Sequence, residues 1–184
     1  MKVRTDELLG EFLALERKYV FSSLNRNETS RRFQLFSLLS GHLGKKGYSI
    51  TLDQRRTLRV PYHRHLRWEQ DTRQGWVESL DLSVNGMAIR PGEEREASDR
   101  FEVVFPEEEM CVFSEGQQGF KVPLRVCWCK PEERLAGGEF EHLLPLERRK
   151  LFNYISNLLS ENFRHRLFLE VPIEAREERC SRPS

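Results

Sequence analysis

The sequence predicts a mainly β protein: a small antiparallel barrel or sandwich of six or seven strands, followed by one helix and preceded by an α-helical hairpin. Three observations predict it. Apolar residues recur at helical spacing over residues 1–47 and again from Leu146 onward. Between these regions lie short segments rich in β-branched and aromatic residues, separated by turn formers. Many short strands at such intervals favour a sheet that closes on itself and so removes its open edges.

In the N-terminal region Leu8, Phe12, Leu15 and Tyr19 follow one another at helical intervals, which places them on one face. Residues Ser22–Thr29, with two asparagines, break that pattern. A second helix carries Phe33, Phe36, Leu39 and Leu43, with Thr29 or Ser30 as N-cap and Gly44 and Gly47 as its stop. A pair this short cannot keep two apolar faces in water, so it packs on the β region, on a second copy or on a partner. Strands are expected at Arg59–Glu69, Gly75–Leu82, Gly86–Arg90, Arg100–Phe105, Glu109–Phe113, Phe120–Cys129 and Gly138–Leu143. Pro91-Gly92, Glu115-Gly116 and Ala136-Gly137-Gly138 are read as turns between them. Val122, Leu124, Val126 and Trp128 alternate with polar or small residues, the period of a strand with one buried face. Leu151, Tyr154, Ile155 and Leu158 give Leu146–Ser160 a helical face that covers one end of the barrel. The tail past Glu174 is expected to be disordered.

With 184 residues and 38% apolar content the chain can form one core plus an appendage, and 32% charged residues give it a well-solvated surface. The formal charge of +1 supplies no global field toward DNA or anionic lipid, so any anion site must be local. Arginine outnumbers lysine 23 to 7, a bias that suits bidentate recognition and that genomic base composition can equally produce. No apolar run approaches the roughly 20 residues that cross a bilayer. Met1–Leu15 lacks the apolar stretch of a signal peptide, and the chain is expected to be cytoplasmic. Cys111, Cys127, Cys129 and Cys180 contain no Cys-x-x-Cys pair; Cys127 and Cys129 would share a strand face as reduced, small side chains. His63 and His65 would also share a face, and exposed strand histidines account for them without a metal. No Ser-His-Asp grouping, phosphate-cradling loop or metal–carboxylate group points to turnover, so neither catalysis nor a cofactor is expected.

Two motifs carry the chemistry. Arg55-Arg56-Thr57-Leu58-Arg59 sets one arginine four residues after another at the junction between the helical region and the first strand. Asp81-Leu82-Ser83-Val84-Asn85-Gly86 joins two strands and offers a carboxylate, a hydroxyl and a glycine. Arginine can fork onto guanine O6 and N7 or onto a phosphate. A carboxylate can accept the two hydrogens on the opposite edge of guanine. Glycine lets a backbone approach closely. The plainer reading makes the arginines solvated linker charges and leaves Asp81 and Ser83 to shape a turn. Arg-x-x-x-Arg is common by chance in so arginine-rich a chain, whereas Asp/Asn-x-Ser-x-x-Gly is expected on the order of 0.05 times. The second motif therefore favours the functional reading of the first.

With these motifs, the Arg125-Val126-Cys127-Trp128 stretch, Gly137-x-x-Phe140 and the helix from Leu146, the chain resembles the PilZ domain family of bacterial cyclic di-GMP receptors. The resemblance covers residues 53–160 and implies a PilZ-type six- or seven-stranded β-barrel with a C-terminal helix. It also implies cyclic di-GMP as ligand, bound as an intercalated pair or as one molecule. On matching positions it assigns Arg55 and Arg59 to phosphate and guanine Hoogsteen edges, and Arg56 to a stacking or added contact. Asp81 and Ser83 are assigned to guanine and backbone contacts, and Gly86 to the tight turn and close approach. Asn85, which tolerates left-handed geometry, fits a structural role.

The chain then divides into a helical region at 1–47, an arginine arm at 48–59, a barrel with its helix at 60–163 and an extension at 164–184. In the implied mechanism the ligand draws a loose Arg55–Arg59 arm onto the barrel and changes how the helices sit, altering the surface offered to a protein partner. Two other classes stay open: a nucleotide-independent adaptor or homodimer working through the hairpin, and an enzyme acting on a cyclic dinucleotide.

Overall fold

Residues 5–52, 56–92, 96–106 and 120–168 are described by the computed structural model. Helix α1 (Thr5–Phe21) and helix α2 (Arg26–Gly44) lead the chain. Asn25, rather than Thr29 or Ser30, caps α2. Its side chain accepts the Glu28 N–H at 2.9 Å while the Glu28 carboxylate accepts the Asn25 N–H at 3.0 Å, a capping box. Thr29 lies one turn inside, its hydroxyl donating to the Asn25 carbonyl at 2.9 Å. At the far end Gly47 takes φ 72°, and the Tyr48 N–H returns to the Leu43 carbonyl at 3.0 Å. Phe12 and Phe36 meet between the helices with ring centroids 6.2 Å apart. Ion pairs Lys18–Glu28 at 2.6 Å and Arg31–Glu11 at 2.7 Å clasp the hairpin from outside.

Among the described residues seven strands follow: β1 (Thr51–Leu52), β2 (Leu58–Gln70), β3 (Arg73–Ser83), β4 (Gly86–Pro91), β5 (Arg100–Phe105), β6 (Phe120–Lys130) and β7 (Leu135–Phe140). All pair antiparallel in the order β1-β2-β3-β4-β7-β6-β5. Residues Arg67–Glu69 of β2 also pair with Glu102–Val104 of β5, so β2 to β7 close a six-stranded barrel with β1 added along the edge of β2. The β2–β3 hairpin runs longer than its sequence suggested, because Asp71 at φ 51° allows a tight turn between Gln70 and Arg73. Ala136-Gly137-Gly138 is no turn but the middle of β7. The reversal is made instead by the 3₁₀ turn Pro131–Glu133 and by Arg134 at φ 51°. The expected strand Glu109–Phe113, the turn Glu115-Gly116, Cys111 and the tail from Glu174 lie outside the described residues.

Strand β6 keeps the expected alternation only in part. Val122, Leu124 and Val126 point into the core, but Trp128 is exposed. Val126 pairs with Gly138 and Trp128 with Gly137, so Cys127 is the extra residue of a β-bulge. The bulge turns the indole outward and separates the two cysteines: Cys127 is exposed and Cys129 packs against the core.

Helix α3 (Pro145–Phe168) covers one end of the barrel, with the Tyr154 ring edge-on to Tyr62 at 5.7 Å. Both N-terminal helices lean on α3 through Phe21–Phe152 at 5.6 Å and His42–Phe163 at 5.8 Å. Leu9, Phe12, Leu35, Leu39 and Leu43 thereby join Leu66, Leu82, Ile89, Leu124 and Leu151 in one apolar cluster. The hairpin thus turns part of its apolar surface onto the chain's own core, while Phe21 and Leu38 stay exposed.

Candidate functional site

The turn motif is built by its own side chains. Ser83, fully buried, donates to the Gly86 carbonyl at 3.1 Å and accepts the Asn85 N–H at 3.3 Å. The Asn85 carbonyl accepts the Phe140 N–H at 2.8 Å, tying the turn to β7. Gly86 is required by close approach: a Cβ there would lie 2.1 Å from the Gly138 carbonyl oxygen. Asp81 stands where the β3–β4 register shifts between Ser79 and Asp81, and its Oδ1 accepts the Ala88 N–H at 2.8 Å. A strand irregularity thus aims and anchors the carboxylate.

The arginine motif meets this turn at two points. Arg59, the second residue of β2, forms an ion pair with Asp81 through Nη1 and Oδ1. Asn85 Nδ2 donates to Thr57 Oγ1 at 2.9 Å. Arg56 has φ 60°, and its exposed guanidinium lies 5.8 Å from the Phe33 ring centroid, toward α2. Arg55 lies outside the described residues.

Arg59, Asp81 and Asn85 line one side of a cleft of about 420 Å³, within the size range of small-ligand pockets. Cys127, Trp128 and Glu139 line the other, and Ala88, Gly137 and Gly138 form a floor almost free of side chains. Trp128 is 43% exposed, and its indole rests over Gly137, where a Cβ would fall 2.2 Å from the ring. Glu139 is held by Arg125 at 3.1 Å, and Arg125 also reaches Glu141 at 2.7 Å. A guanidinium, a carboxylate and an accessible indole around a bare floor can take a flat ring with a donor–acceptor edge and an attached anion. Arg59 and Asp81 hold each other on their side of the cleft.

The two motifs therefore share one concave surface. The indole of Trp128, the bare position of Gly137 and the Thr57 link were not identified as site features from the sequence. The signal for the first two was a Gly-Gly pair within reach of a strand tryptophan, which reads as a close approach when it is placed inside a strand. His63 and His65 are exposed. Among the described residues, no group of three or more His, Cys, Asp or Glu side chains is placed to hold a metal ion. No helix among them is long and apolar enough to cross a membrane.

The profile of the PilZ domain matches residues 53–157, more than half of the chain. The chain belongs to the PilZ domain family. No curated protein matches this PilZ chain in sequence. Among solved structures, the Bacillus subtilis inhibitor of motility (MotI/DgrA) is 12% identical with a TM-score of 0.39, covering 60% of this chain and 57% of that one. The Borreliella burgdorferi PlzA protein, in complex with c-di-GMP, is 12% identical with a TM-score of 0.39, over 72% of this chain and 50% of that one. The PilZ domain of YcgR from Escherichia coli, with c-di-GMP, is 19% identical with a TM-score of 0.38, over 59% and 93%. The chain thus spans about half the length of the first two.

Proposed function

We propose that this PilZ protein is a cyclic di-GMP receptor, a binding module without turnover, whose ligand changes the arrangement of the N-terminal helices or of a partner surface. One observation carries the reading: Arg59 and Asp81, from motifs more than twenty residues apart, converge on a single cleft. In this reading Arg59, with Arg55, takes phosphate oxygens or guanine O6 and N7. Asp81 accepts from the opposite guanine edge. Trp128 offers a face for a base. Ser83 and Gly86 serve by shaping the turn that presents Asp81, and Arg56 is left for an outer contact. The adaptor reading rests on the apolar stripes of α1 and α2; Phe12, Leu39 and Leu43 of those stripes pack into this chain's own core, which supports the receptor reading.

Calorimetric titration of the full chain with cyclic di-GMP, with cyclic di-AMP as control and hydrodynamic size followed in parallel, tests this. Saturable binding of cyclic di-GMP is expected, with much weaker binding of cyclic di-AMP. Adenine lacks the N1–H and the C2 amino group of guanine, the paired donors that Asp81 would accept. Absence of heat with cyclic di-GMP, or equal affinity for the two, removes the proposal.

A further inference from the structure

Behind the arginine segment lies an ion pair that the cleft does not expose. Glu16 of α1 and Arg32 of α2 are each 1% exposed, and Arg32 Nε donates to Glu16 Oε2 at 2.6 Å. Both reach further, into the segment that leads into β2. Arg32 Nη2 donates to the Arg56 carbonyl, and the Leu58 N–H donates to Glu16 Oε1 at 2.6 Å. The Arg32 guanidinium also lies 4.1 Å from the Tyr19 ring centroid, which fixes its plane.

The four residues 56–59 are thus held alternately by two bodies. The Arg56 carbonyl and Leu58 N–H go to the hairpin, while the Thr57 hydroxyl and the Arg59 guanidinium go to the turn and to β3. Arg56 sits at φ 60°, a conformation that a residue with a Cβ keeps only where its surroundings impose it. A buried ion pair is poor evidence for stability, because apolar side chains of similar volume often serve as well. What it adds here is direction: one donor and one acceptor aimed at two particular backbone groups.

We propose that Glu16 and Arg32 are positioning residues for the nucleotide site. They set the backbone of Arg56–Leu58 so that Arg59 meets Asp81 at the side of the cleft, and they make nucleotide affinity depend on the docked hairpin. This rests on the cyclic di-GMP reading above. Coupling of this kind is reciprocal: if docking of the helices raises affinity, ligand tightens their docking by the same factor.

The test measures amide exchange and nucleotide affinity on the same variants of the full chain. In Glu16→Leu/Arg32→Met, which removes both charges together, exchange at residues 57–60 accelerates and cyclic di-GMP affinity falls about tenfold. Should that variant fail to fold, Glu16→Asp, which keeps the charge opposite Arg32 but draws the carboxylate back from the Leu58 N–H, gives a smaller loss in the same direction. A double-mutant cycle separates positioning from plain stability: on an Arg59→Ala background the affinity cost of Glu16→Asp shrinks, because the arm no longer has its hand. Unchanged affinity in a folded variant, or full additivity with Arg59→Ala, overturns the proposal. If the wild-type chain binds no cyclic di-GMP, the ligand reading and the affinity claim fall together. Exchange at 57–60 then still shows whether the pair holds the segment.

Discussion

Gly137 shapes the cleft by having no side chain. Its Cβ would overlap the Trp128 indole, so any larger residue must push that ring off the floor. Because Trp128 is already exposed, displacing it leaves the core intact. Base–aromatic stacking contributes about 1–3 kcal/mol per base, so Gly137→Val and Trp128→Ala should each weaken cyclic di-GMP binding by roughly 5- to 150-fold. Calorimetry reads the loss, with circular dichroism showing an unchanged fold; normal affinity in Trp128→Ala would exclude stacking on the indole. For the polar wall, a charge-assisted contact contributes roughly 1.5–3 kcal/mol, and Arg59→Ala should cost about tenfold or more in affinity. Asp81→Asn keeps an acceptor for the Ala88 N–H while presenting an amide to guanine, and should lose binding to a similar degree with thermal unfolding preserved. Arg59 and Asp81 were legible as candidates because residue type and spacing already encode what they can bind. The orientation of Trp128 was not, because it turns on one extra residue at Cys127, which only the partner strand reveals.

Helix α2 begins where side-chain chemistry, rather than apolar rhythm, sets its start. Asn25 and Glu28 satisfy each other's backbone N–H groups, and the Asn25-x-x-Glu28 spacing was readable in principle. Thr29 and Ser30 drew attention by standing nearer to Phe33. Asn25→Ala should cost about 1 kcal/mol and lower the melting temperature by about 2–4 °C in a chain of this size. The strands show the same division. Alternation located β6 and its buried face, while the glycines of β7 read as a turn because glycine in a strand looks like a break until a neighbouring ring explains it. Surface charge gives these elements a pH signature. The carboxyl of Glu28 is held below its usual 4.5, first by the Lys18 ammonium and then by the Asn25 N–H. Arg31 does the same to Glu11, Lys121 to Glu69 and Arg100 to Glu141. Lowered values in the folded state mean that this stabilisation is fully present above the usual carboxylate value and is lost as pH falls through the lowered ones. Thermal melts should therefore hold level from neutral pH to about 5 and decline below it. Glu28→Gln should flatten that decline; an acid limb of unchanged steepness across such variants would contradict the assignment.

On the scale of the molecule, hairpin, barrel and α3 draw on one apolar cluster. This common core could not be read along the chain, where the helical and β regions look like separate units divided at Tyr48. Periodicity shows which face of a helix is apolar but not what covers it. Here Phe21 and His42 touch α3, and Phe12 belongs to the same apolar cluster as the barrel, so the helices and the Arg59–Asp81 cleft rest on one core. A ligand that binds only the folded state raises its stability by RT ln(1 + [L]/Kd), about 2.7 kcal/mol at a hundredfold excess over Kd. At about 2–4 °C per kcal/mol for this chain length, cyclic di-GMP should raise the melting temperature by about 5–11 °C. Two signals decide how far that gain spreads. Far-ultraviolet dichroism, which weights helix, follows α1, α2 and α3, while tryptophan emission follows the barrel, which holds Trp68, Trp76 and Trp128. With one core the two melts coincide without nucleotide and move up together when it is added. A helix signal that melts first and ignores the nucleotide would mean that the hairpin is energetically independent, and with it the coupling through Glu16 and Arg32 would fail.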